Sequence, residues 1–153
     1  MRLPEALALC LLLASCASQG EKSAPSGKRP VAAVSAEART NLQLAEGYLT
    51  KGDLAKAAER AELAIKAQPD WAQAHAMRGL VYERAGDAAK AGRAFDRALA
   101  LDPADGQVLN AHAAWLCGQG RADAADREFA KALADPGYQA PAQALAIDGN
   151  CVV

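Results

Sequence analysis

Cys117 and Cys151 are the side chains of the chain's second half best suited to covalent chemistry. No serine or threonine follows Thr50, so a hydroxyl nucleophile of the Ser-His-Asp kind has no place beyond that point. His75 and His112 are the two histidines. Neither has a second histidine or a cysteine at ligand spacing, which predicts no metal site and leaves each to line a groove or an interface. There is no CxxC, and hence no redox-catalyst pattern. The glycines are isolated, so no loop of them cradles a phosphate. This inventory predicts a protein that is not an enzyme and holds no cofactor. For the two thiols it leaves two states open: a disulfide, or two buried free thiols acting as small hydrophobes.

The other two cysteines lie near the start. Met1-Arg2 gives a positive beginning, Leu3 to Leu13 is an apolar run broken by Pro4 and Glu5, and Leu13-Ala14-Ser15-Cys16 follows. That run is too short to span a bilayer and has the proportions of a secretory signal core. The last four residues look like a lipobox, the bacterial lipoprotein signal. Residues 1–15 are then a cleaved signal peptide, Cys10 leaves with it, and Cys16 becomes an acylated N-terminus. Each buried methylene adds about 0.8 kcal/mol of membrane affinity, so a multiply acylated cysteine is a lasting anchor. By analogy with bacterial lipoproteins, Ala17 and Ser18 after the cysteine favour the outer membrane, on its periplasmic face. Residues 16–35 are rich in Ser, Gly, Pro, Lys and Gln with little to bury, and read as a disordered tether. Roughly 18 residues reach at most ~60 Å.

The elements that position these groups follow from a repeat. Gly52, Gly86 and Gly120 recur at one constant interval, the same that separates Cys117 from Cys151. Each glycine is followed by alanine five residues on (Ala57, Ala91, Ala125), then by Ala61, Phe95 or Phe129, then by Ala64, Ala98 or Ala132. Upstream come Ala45 with Tyr48, Gly79 with Tyr82, and Ala113 with Leu116. Small residues are needed where helix axes approach and large ones where they diverge. Gly52-Asp53 and Gly86-Asp87 read as turns, the glycine ending one helix in a left-handed conformation and the aspartate capping the next. Arg121 breaks that pattern in the third repeat. Pro69 and Pro103 close second helices. The expected helices are Ala36–Thr50, Leu54–Ala67, Ala72–Ala85, Ala88–Leu101, Ala104–Cys117 and Ala122–Ala134, with Ser35 as the first cap and a seventh helix starting at Pro141.

This pattern resembles the tetratricopeptide repeat, a 34-residue unit of two antiparallel helices. The resemblance implies an all-α fold, a right-handed superhelical α-α solenoid over residues 36–153. Its repeats would fall at about 38–71, 72–105 and 106–139, with a partial fourth at 140–153 whose unpaired last helix makes the array look cut short. Alanine-rich helices bury little area each, so stability must come from stacking repeat on repeat. With 17 basic and 18 acidic residues the formal net charge is −1, and no nucleic-acid footprint exists. Cys117 and Cys151 would sit late in the first helices of neighbouring repeats, where a bridge is geometrically reasonable.

Such arrays expose their concave face through the first helix of each repeat, to hold an extended peptide or a partner helix. The candidate groove residues are Arg39, Leu42, Glu46 and Leu49, then Gln73, Ala76, Leu80, Glu83 and Arg84, then Gln107, Asn110 and Ala114. Leucines among arginines and amides would suit an amphipathic segment.

Three stretches are more particular. Leu101 to Asn110, Trp115 to Arg121 and Phe129 to Tyr138 resemble the type IV pilus biogenesis lipoproteins called PilF or PilW. Members are similar in having a lipobox, a tether and consecutive repeats, and a cysteine late in the next helix, as Cys151 is here. The chain departs from them at Ala111-His112-Ala113. The resemblance implies a pilotin, which assists targeting and multimerisation of the type IV pilus secretin at the outer membrane. The alternative is a general cell-envelope adaptor that scaffolds cell-wall or other complexes.

Overall fold

The chain reverses direction three times at glycines held at positive φ: Gly52 at 76°, Gly86 at 78° and Gly120 at 72°. These are left-handed conformations that favour glycine at the end of a helix. The computed structural model describes residues 34–139 and Cys151. The signal peptide, Cys16, most of the tether and the helix expected from Pro141 lie outside the described residues.

Six helices and no strand occur among the described residues: α1 (Ala36–Thr50), α2 (Leu54–Ala67), α3 (Ala72–Arg84), α4 (Ala88–Leu101), α5 (Gly106–Gly118) and α6 (Ala122–Ala134). Local chemistry sets their starts. Ser35 accepts from the Ala38 amide at 3.1 Å, Asp53 from Lys56 at 3.1 Å and Asp87 from Lys90 at 3.0 Å, each satisfying an orphan donor of a first turn. Arg121 makes no side-chain cap for α6. The expected start of α5 is corrected from Ala104 to Gly106. Asp102 holds the Ala104 amide at 3.1 Å in a turn, and Asp105 is the true cap, accepting from Gln107 at 2.9 Å and Val108 at 3.3 Å.

Helices pair as α1 with α2, α3 with α4 and α5 with α6, and successive pairs stack. The first helices α1, α3 and α5 also pack on one another, whereas α2, α4 and α6 have no comparable mutual packing. Closer approach along one edge curves the stack, with the first helices inside. The result is an α-α solenoid of tetratricopeptide type.

The core runs through the stack as three clusters. Leu42, Leu49, Met77 and Val81 close the first seam. Phe95 closes the second with Ala72, Ala76 and Val108. Leu109, Leu116, Phe129 and Tyr138 fill the third repeat together with Cys151. Phe95 is fully buried, and a Cβ built on Gly79 would stand 2.9 Å from its Cζ atom. A glycine on α3 thus makes room for the largest fully buried side chain of the repeat. Cys117 and Cys151 join in a disulfide with Cα atoms 5.3 Å apart.

Candidate functional site

The concave face is built from equivalent positions of α1, α3 and α5, and the way those helices approach decides which side chains remain available. Position five of a repeat faces the next first helix. Leu42 therefore sits with Ala74, Met77 and Val81, only 7% exposed, and Leu49 is 9% exposed in the same cluster. Both leucines are core residues, which corrects their expected place on the groove surface. Ala76 is likewise buried, against Val108. Leu80 is half-buried and touches both the first and the second cluster.

Gln73 is engaged as well. Its Nε2 donates to Asp105 Oδ2 at 2.9 Å, while Oδ1 of the same carboxylate caps α5. One aspartate so ties the second repeat to the first turn of the third. The signal for Asp105 was its place immediately before Gly106, one full repeat after Trp71, but its bond to Gln73 is tertiary and has no trace in the local sequence. Asn110 is half-buried, and its Oδ1 has no hydrogen-bond partner.

What remains at the surface is a polar strip with one apolar centre: Arg39, Glu46, Leu80, Glu83, Arg84 and Gln107, each exposed or half-buried. Burial pushes the Glu46 carboxyl above the usual range. It does the same to Glu83, partly offset by the Arg84 guanidinium. A carboxylate that has lost water with no opposing charge, as Glu46 has, favours a cationic or hydrogen-donating ligand group. The Glu83 carboxylate reaches along α5, with Oε1 3.7 Å from the point where a Gly118 side chain would begin. The strip can hold an extended segment by polar contacts around Leu80. It offers no nucleophile paired with a base.

The histidines are not on this strip. His112 stacks on Trp115 at 5.5 Å between ring centroids and lies 3.5 Å from Glu128. His75 is 5% exposed, with Nε2 2.8 Å from the Pro69 carbonyl and Nδ1 3.3 Å from Arg78 Nη2. A carbonyl only accepts, so Nε2 carries the proton and Nδ1 receives the arginine's. The interfacial role is the one the structure gives it. No helix among the described residues is long and apolar enough to cross a membrane, and no group of three or more His, Cys, Asp or Glu side chains there could hold a metal.

The burial of His75 has a measurable result. Desolvation first, then Arg78 and Arg97, hold its pKa below the ordinary 6.5, against the Pro69 bond, which favours the charged ring. The unfolded chain then takes up a proton at higher pH than the native one, so stability falls as pH drops below about 6.5. Glu46 and Glu83 act in the opposite sense, but they are common to wild type and variant. Denaturant midpoints of wild type and His75→Gln should therefore diverge between pH 7 and pH 5, the wild type losing more. Parallel curves would show that the native ring protonates as freely as the unfolded one.

Residues 72–105 match the family model of the tetratricopeptide repeat. Among solved structures, the chain is similar to PilW, described as a widely conserved type IV pilus biogenesis factor. The identity is 30% with a TM-score of 0.68, over 76% of this chain and 54% of PilW. PilF of Pseudomonas aeruginosa gives 26% identity and a TM-score of 0.68, over 75% of this chain and 52% of that one. The tetratricopeptide domain of P58(IPK) gives 25% identity and a TM-score of 0.58, over 76% and 33%. The chain spans about half the length of the two pilus proteins it matches. A sequence search of curated proteins returns no match.

Proposed function

Because the chain is a tetratricopeptide repeat protein related to type IV pilus biogenesis factors, we propose that it is a pilotin: a lipid-anchored outer-membrane protein that binds a segment of the pilus secretin and assists its targeting and multimerisation. The observation that carries this reading is the 30% identity with PilW across 76% of the chain. Two features of the chain support it.

The first is the lipobox ending at Cys16, which would deliver the protein to the membrane where a secretin assembles. An acyl anchor at Cys16 would confine the repeats and their client to one surface, which raises their effective concentration without any new contact. The second is the concave strip around Leu80, Glu83 and Arg84, whose exposed charges and single apolar centre fit an amphipathic peptide with a basic or amide-bearing side chain.

Replacing Cys16 with serine in the full chain tests the anchor. The repeats are expected to fold unchanged by circular dichroism, while secretin multimers disappear from the outer-membrane fraction. Normal multimers in the Cys16→Ser strain would refute the mechanism. If cell-wall enzymes and no secretin crosslink to the wild-type protein in membranes, the general envelope adaptor is the correct function.

A further inference from the structure

A cleft of about 210 Å³ lies on the second repeat, lined by Arg78 and Tyr82 of α3 and by Lys90, Arg93 and Ala94 of α4. The first repeat serves as an internal control for what the fold itself requires there. The equivalent positions one repeat earlier are Leu44, Tyr48, Lys56, Glu59 and Arg60.

Part of the cleft is structural in both repeats. Lys56 pairs with Asp53 at 3.1 Å and lies over Tyr48 at 5.4 Å; Lys90 pairs with Asp87 at 2.8 Å and lies over Tyr82 at 5.5 Å. This trio fastens the turns after Gly52 and Gly86 and explains Lys90 and Tyr82 without any ligand. It does not explain Arg78 and Arg93, which replace a leucine and a glutamate.

Arg78 is held from behind. His75, fixed by the Pro69 carbonyl, accepts one guanidinium N–H at 3.3 Å, and half-exposed Glu62 takes Nη1 at 3.3 Å. Such a brace orients the arginine and leaves further donors of its five free to point elsewhere. Arg93 is exposed on α4, with Arg97 one turn beyond it. Like charges at that spacing cost a few tenths of a kcal/mol, offset for Arg93 by its attraction to Asp87, the cap of the same helix. Arg78, Lys90 and Arg93 face two acids, Glu62 and Asp87, with Asp96 exposed further along α4, and the cleft keeps an excess of positive charge.

We propose that this cleft binds a phosphate group, either free phosphate or the phosphate of a lipid headgroup. The Arg93 guanidinium and the donors of Arg78 not taken by His75 and Glu62 suit the tetrahedral oxygens of a phosphate, with the Asp87-paired Lys90 ammonium adding positive charge beside them. The volume suits one such group with a water or two.

The test uses the purified full chain, labelled with ¹⁵N and titrated with inorganic phosphate against sodium chloride of equal ionic strength. Saturable amide shifts confined to residues near 78–94 are expected for phosphate and not for chloride. Arg93→Glu installs the residue that the first repeat already carries at this place, so it leaves the helix intact, and it should weaken phosphate binding at least tenfold. Lys56→Gln, in the first repeat, should leave it unchanged. A second arm measures binding to phosphatidylcholine vesicles with and without phosphatidic acid. Phosphatidic acid that strengthens wild-type but not Arg93→Glu binding makes the ligand a lipid phosphate; no effect of phosphatidic acid makes it free phosphate. Shifts equal in chloride and phosphate, or an Arg93→Glu protein that titrates like wild type, would overturn the proposal.

Discussion

Phe95→Ala should lower the stability of the array by about 3–5 kcal/mol, the cost of a cavity left by a large buried ring. That is a large part of the roughly 5–15 kcal/mol available to a domain. The ring is fully buried and belongs to two repeats at once. On one side it presses the backbone of Gly79 in its own repeat; on the other its centroid lies 5.5 Å from His112 and 5.6 Å from Trp115 of the next. Removing it loosens the hairpin of α3 and α4 and the stacking of α5 together. The same geometry predicts a change of sign. Gly79→Ala should destabilise the wild type, since the new Cβ would stand 2.9 Å from a ring that has nowhere to go. In a Phe95→Leu background the crowding is gone, and the better helix propensity of alanine should make Gly79→Ala stabilising by up to about 1 kcal/mol. Urea denaturation of the four proteins closes the cycle. A loss below about 1 kcal/mol for Phe95→Ala, or additive effects of the pair, would mean that the ring is not the keystone of this seam.

The second large effect belongs to the disulfide. The bridge joins residues 34 apart, and closing a loop of that size stabilises by about 3–4 kcal/mol on the chain-entropy estimate. Cys117→Ser should lose that amount, and a reducing agent should cost the wild type the same while leaving the variant untouched. The loss should also be local. In a solenoid each repeat contacts only its neighbours, and Cys151 packs with Leu109, Leu116 and Phe129 of the third repeat. Amide exchange should accelerate in α5 and α6 and stay slow in α1 and α2. A wild type indifferent to reductant would remove the bridge from the account of stability, and uniform acceleration would remove its locality.

The repeat period was legible because it is carried by residues that the backbone cannot replace cheaply. The three glycines at positive φ, and the aspartates after two of them, mark the same turn in sequence and in structure. Five of the six helices start at the residue the repeat pattern expects. The exception, α5, shows the limit: Asp102 and Asp105 are both capping residues, and choosing between them requires knowing that Asp105 also receives Gln73 and that the Gly106 amide donates to Asp135 at 2.8 Å. The groove was legible only as a set of positions. Helical periodicity says that Leu42 and Leu49 face the concave side, but how near the next first helix comes depends on the side chains of both helices, here Ala74, Met77 and Val81. The same holds for Arg78, whose partners His75, Glu62 and the cations of α4 meet only when three helices are assembled.

The turn at Gly120 lacks the fastening of the other two: Arg121, Ala124 and Leu116 stand where they have the capping aspartate, its lysine and the tyrosine beneath. The amides of the first turn of α6 have no side-chain acceptor from Arg121, and only Asp123 within that turn offers them a favourable charge. Amide exchange in the first turn of α6 should therefore be faster than in the first turns of α2 and α4, which Asp53 and Asp87 cap.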